Sequence, residues 1–106
     1  MTTHAHARKR YDLLVAYDVN TATKAGERRL RRVAKICEGF GQRVQYSIFE
    51  CRVSEAQLEE MEHRLLEAMN KDKDSIRIYR FRGGRDGILR VYGQDRYQDF
   101  DDPLII

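Results

Sequence analysis

Apolar positions along the chain switch between a period of two and a period near 3.6, and the switches mark out its elements. Residues 11–18, YDLLVAYD, are short and β-rich, which predicts a strand. NTAT supplies turn and cap residues, and Thr23 stands where a helix N-cap belongs. Beyond it Leu30, Val33, Ala34 and Cys37 fall on one stripe at about 100° per residue. The helix is expected to reach about Glu38 and to be closed by Gly39 and Gly41. The next segment, QRVQYSIFECRV, is too long for one simple strand. Val44 and Tyr46 share one parity, whereas Phe49, Cys51 and Val53 share the other, so a bulge or tight turn is required near Ser47. Two short strands result. Ser54 and Gln57 form a capping box that opens a second helix, expected to run to about Asn70 on Leu58, Met61, Leu65 and Met69. DSIRIYRF reads as a further strand, GGRDG as a turn, and ILRVYG as a last short strand before an acidic tail.

The order β-α-β-β-α-β-β is an α+β, ferredoxin-like βαββαβ plan with an extra C-terminal strand. Residues 1–10 are expected as a basic mobile arm, 11–82 as the ferredoxin-like domain, and 83–106 as the C-terminal strand and tail. Two helices can cover only one face of such a sheet. Yet the first strand is apolar on both faces, with Leu13 and Val15 opposed to Leu14 and Ala16. The last strand of the core repeats this, with Ile76 and Ile78 opposed to Tyr79 and Phe81. With no spare element to cover the second face, a sheet-on-sheet homodimer is expected, its added strand completing the partner's sheet.

Composition narrows the setting. A chain of 106 residues holds one core. A mean hydropathy of −0.70 and 35% charged residues describe a wet surface without a membrane span. The start, MTTHAHARKR, lacks the apolar core of a secretory signal, and two cysteines favour a reduced, cytoplasmic setting. A net charge of +3 is mild, so the placement of the cations decides more than their sum.

That placement is uneven. Lys24, Arg28, Arg31, Arg32 and Lys35 gather opposite the apolar stripe of the first helix, with only Glu27 and Glu38 to offset them. A solvated face is the plain reading, and a phosphate backbone, bound without base readout, is the functional one. Arg43, Arg77, Arg80, Arg82 and Arg85 add charge on the strands and turn. The second helix is acidic, through Glu55, Glu59, Glu60, Glu62 and Glu67, and makes a poor nucleic-acid surface. Asp18 ends an apolar strand at a turn, where it serves either as a cap or as a ligand. Mg²⁺ is held by one or two carboxylates plus waters and phosphate oxygens, so two Asp18 side chains across a two-fold axis would suffice for one ion. Asp12 belongs to the opposite end of the sheet, away from any such ion. Cys37 and Cys51 read as buried structural thiols, Tyr46 and Phe49 as core or dimer contacts, and His63 as a surface residue. His4 and His6 are half a metal site at most, and Asp99, Asp101 and Asp102 a solvated tail. No nucleotide-cradling loop, nucleophilic constellation or zinc spacing is present.

The stretches YDLLVAYDV, AGERRLRRVAKICEGFGQRVQYSIFEC and DSIRIYRF, over positions 11–82, resemble the smaller of the two core spacer-acquisition proteins of CRISPR systems, a family of endoribonucleases and endonucleases. The closing DDPLII is similar to the tail of short bacterial members. The resemblance implies a ferredoxin-like homodimer with facing sheets and a tail strand that pairs across. It implies Asp18 as the catalytic, metal-binding residue, opposite its twin, with Mg²⁺ or another divalent ion such as Mn²⁺ between them. Arg28, Arg31, Arg32 and Arg43 match the family's basic segments and are expected to contact phosphates. The expected partners are a larger CRISPR integrase, whose dimers this homodimer bridges, and double-stranded spacer-precursor DNA, with single-stranded RNA as a second substrate. The arm of residues 1–10 is longer than usual for the family, so no role transfers to His4 or His6. One carboxylate per subunit and no evident general base imply weak or conditional cleavage beside an architectural role. The alternative is a stand-alone, mRNA-cleaving toxin-type ribonuclease of similar fold.

Overall fold

The computed structural model describes residues 9–95 and residue 97. The elements run β1 (Tyr11–Asp18), α1 (Lys24–Glu38), β2 (Gly41–Gln45), β3 (Ile48–Val53), α2 (Glu55–Ala68) and β4 (Ser75–Phe81). The strands form one antiparallel sheet in the order β2-β3-β1-β4. This is the expected ferredoxin-like arrangement.

Local chemistry sets the element ends. The Thr23 hydroxyl accepts from the Gly26 amide at 3.1 Å and opens α1. The Ser54 hydroxyl accepts from the Gln57 amide while the Gln57 side chain accepts from the Ser54 amide, completing the capping box of α2. The parity change in the middle of the chain is resolved twice over. The β2–β3 ladder slips between Arg43 and Gln45, and a turn follows at Tyr46 and Ser47.

The core lies between the sheet and the two helices. Leu13, Val15 and Tyr17 of β1 and Phe49, Cys51 and Val53 of β3 meet Val33 and Cys37 of α1 and Leu58, Met61 and Leu65 of α2. Burial pushes the thiols of both cysteines up to about 12, so they stay protonated and unreactive. Phe49 is core as expected, whereas Tyr46 is 87% exposed and is no part of the core.

The second face of the sheet corrects one expectation. The chain does possess an element to lay over it, namely the segment after β4. Arg85 is buried there, its side chain bonded to Glu50 and its amide donating to Asp12 at 3.1 Å. Together with Ile88 and Leu89 it encloses a small cavity over Leu14 and Phe81. Cover is partial, because Tyr79 of the sheet stays exposed, and Ile88, Val91 and Tyr92 of the covering segment are exposed as well. Residues 88–93, expected as an added strand, form no strand among the described residues. Residues 1–8 of the arm, and His4, His6, Asp99, Asp101 and Asp102 with them, lie outside the described residues.

Candidate functional site at the end of the first strand

Asp18 closes β1 opposite Ser75 of β4, on the sheet face away from the helices, and it is exposed. Its carboxylate has no hydrogen bond or ion pair among the described residues. Capping is done by its neighbours instead. The Asn20 side chain accepts from the Ala22 amide at 2.9 Å, and Thr23 caps α1. The turn-cap reading of Asp18 therefore falls.

A cavity of about 450 Å³ opens beside it, lined by Asp18, Thr21, Arg31, Arg43, Tyr46 and Ser47 over an apolar floor of Leu30 and Ala34. Two of the four arginines singled out in the sequence thus meet Asp18 in one place. Arg43 arrives from β2, its guanidinium 5.2 Å from the centre of the buried Phe49 ring and 3.8 Å from Glu38. Arg31 comes from the exposed face of α1. Arg28 and Arg32 are exposed on that helix but do not line the cavity. Among the described residues no group of three or more acidic, histidine or cysteine side chains gathers around a common point. One chain offers a divalent ion a single free carboxylate. That suits half of a hydrated, phosphate-bridged Mg²⁺ site, not a closed protein cage.

The chain matches the family of CRISPR associated protein Cas2 over residues 11–87. It is 50% identical over 94 residues to CRISPR-associated endoribonuclease Cas2 1 of Moorella thermoacetica, covering 89% of this chain and 98% of that one. The chain belongs to the Cas2 family. The Cas2 endonuclease of Halalkalibacterium halodurans is 42% identical over 93 residues, 88% of this chain and 97% of its own. Among solved structures, Cas2 of Streptococcus pyogenes at pH 6.5 superposes with a TM-score of 0.70 at 45% identity, covering 77% of this chain and 99% of that chain. This membership displaces the toxin-type alternative that the fold alone had raised. Among the described residues no helix is long and apolar enough to cross a membrane.

What the sequence reading missed is the device that fixes the Asp18 turn. Arg29 lies on the inward stripe of α1, three residues after Gly26 and four before Val33, both buried. Its guanidinium grips Asp74 at 2.8 and 3.4 Å and also donates to the Asn20 carbonyl at 3.3 Å. The Asp74 side chain is wholly buried and accepts further from the Asn20 and Asn70 amides at 3.0 and 2.9 Å. The Arg29 hydrogen bond, helped by those two amides against the effect of burial, lowers the Asp74 carboxyl to about 2. Gly26 brings α1 against the same turn. A Cβ there would lie 2.0 Å from the Asn20 carbonyl oxygen, so only glycine permits the approach. An arginine on an apolar stripe demands a buried acid, but local periodicity does not say which acid, 45 residues away, supplies it.

Other cations are already engaged. Arg85, which the sequence alone places among the free positive charges, is neutralised by Glu50 and Asp86. Arg80 pairs with Glu55 at 3.2 Å, and Arg77 donates to the Tyr79 hydroxyl at 3.0 Å. His63 is exposed and sits 3.6 Å from Glu67.

Proposed function

We propose that this chain is the small core subunit of CRISPR spacer acquisition. It works as a homodimer that holds duplex DNA, bridges dimers of the larger integrase, and cleaves phosphodiesters weakly at Asp18. The observation that carries the reading is a free carboxylate beside two arginines in one cavity, on a chain of this family. Arg28, Arg31 and Arg32 on α1 and Arg43 at the cavity form a basic surface suited to the phosphate backbone.

The half-covered sheet face supports the dimer. Its apolar residues Tyr79, Ile88, Val91 and Tyr92 would be buried against a second copy, and residues 88–93 would pair with the partner's sheet. Asp18 and its twin would hold one Mg²⁺ or Mn²⁺. A bound ion of this kind polarises a phosphodiester and acidifies a water. Within the chain, Arg31 and Arg43 would orient the phosphate, and the Arg29–Asp74 pair keeps the Asp18 turn in place. Among the described residues no side chain in the cavity wall other than Asp18 offers a carboxylate or imidazole as general base, which favours the architectural role. RNA cleavage, the activity in the names of several relatives, is the second reading of the same chemistry.

A spacer-integration assay with the cognate integrase, comparing wild type with Asp18→Asn, tests this directly. Integration is expected to persist. Divalent-dependent cleavage is expected to fall by about 100-fold or more, the equivalent of losing several kcal/mol of transition-state stabilisation. Undiminished cleavage would remove Asp18 from the site, and lost integration would overturn the separation of scaffold from catalyst.

A further inference from the structure

We propose that the end of the sheet opposite Asp18 is a second binding surface for the phosphate backbone of a bound duplex. The proposal rests on nucleic-acid binding by this chain as set out above. A cavity of about 510 Å³ opens there, lined among the described residues by Lys9, Arg10, Arg52, Arg80 and Arg82, with Asp12 as their one carboxylate. Arg52 is matched by Asp12 at 3.0 Å and Arg80 by Glu55 at 3.2 Å. Arg10 and Arg82 have no ion pair among the described residues, and Lys9 lies 5.5 Å from the centre of the Tyr11 ring. Positive charge is therefore left over at the cavity mouth.

Two features make this more than a set of solvated side chains. The Arg80 guanidinium stacks on the Tyr11 ring at 3.9 Å, so this fork is ordered before any ligand arrives. Gly83 and Gly84, both at positive φ, form the far wall. A Cβ on Gly83 would meet nothing within 4 Å, so the wall is open to solvent on that side. A backbone of closely spaced phosphates, each carrying charge, matches an open cavity with several cations better than a lone small anion does.

Spacing ties the two ends together. Asp12 and Asp18 are six residues apart on β1, roughly 20 Å at ~3.3 Å per residue. One strand of a duplex advances about 3.4 Å per nucleotide, so about six nucleotides span the distance.

The test uses the full chain carrying Arg10→Glu with Arg82→Glu, and a labelled duplex of about 20 base pairs, titrated across salt without divalent ions. The expected result is weaker binding and a salt slope flattened by about one unit for each phosphate that is no longer neutralised. Asp18-dependent cleavage of a single strand of about four nucleotides, too short to span the ends, is expected to stay at the wild-type level. The milder Arg10→Gln with Arg82→Gln should show the same trend at smaller size, and an unchanged melting temperature guards against misfolding. Arg28→Glu with Arg32→Glu is run in parallel. A flattened slope there but not in the Arg10 and Arg82 variants overturns the second surface alone. Unchanged slopes in both overturn duplex binding as well, and an equal loss of short-strand cleavage overturns the assignment to a separate site.

Discussion

Asp12 and Asp18 stand on the same strand and the same face of the sheet, yet their surroundings are opposite. Asp12 accepts from Arg52 at 3.0 Å and from the Arg85 amide at 3.1 Å, so it fastens the segment after β4 to the sheet. Asp18 has no such partner among the described residues, because Asn20 and Thr23 cap the turn and Asp74 anchors it. The contrast teaches that an acid at a strand end is available for chemistry only when other residues have taken over the structural work there. The same holds for the cations. At the Asp12 end Arg52 and Arg80 are paired while Arg10 and Arg82 have no ion pair among the described residues, and at the Asp18 end Arg29 is committed to Asp74 while Arg31 reaches the cavity.

Substitution at three aspartates sharpens the comparison, and the anchor gives the largest effect. Asp74→Ala leaves Arg29 without its carboxylate and strands the Asn20 and Asn70 amides, and is expected to destabilise the fold by about 2–4 kcal/mol in urea unfolding. Its pH dependence follows from the lowered carboxyl. The stabilisation is complete above the ordinary value of 3.8 and is lost as pH falls through about 2. The Asp18 turn should therefore hold unchanged between about pH 5 and 8. Asp12→Asn removes a half-buried charge and is expected to cost about 1–2 kcal/mol while leaving divalent-dependent cleavage near wild type. Asp18→Asn should change stability by no more than about 0.5 kcal/mol, as befits an exposed carboxylate without partners among the described residues. Equal destabilisation by Asp12→Asn and Asp18→Asn would erase the difference between the two ends.

Much of this was legible in the residues. The alternation in YDLLVAYD and the stripe of Leu30, Val33, Ala34 and Cys37 point to strand and helix, and the Ser54–Gln57 pair marks a helix start to the residue. Asp18, Arg31 and Arg43 stand out in segments distant in sequence, and the fold places them around one cavity. Two things were not legible. The cover over the second face depends on Arg85 finding Glu50, and a GGRDG turn does not announce that its arginine folds inward. The Asp74 anchor joins residues up to 54 positions apart, a pairing that local periodicity does not encode. Arg29 escapes notice because a helix rich in exposed arginines hides the one that faces the core.

The most direct measurement is a Mn²⁺ titration of the purified protein followed by electron paramagnetic resonance, in wild type, Asp12→Asn and Asp18→Asn. One bound ion per two chains is expected in wild type and in Asp12→Asn, and none in Asp18→Asn. Full Mn²⁺ binding by Asp18→Asn would contradict a cation site built on the free carboxylate at the end of β1.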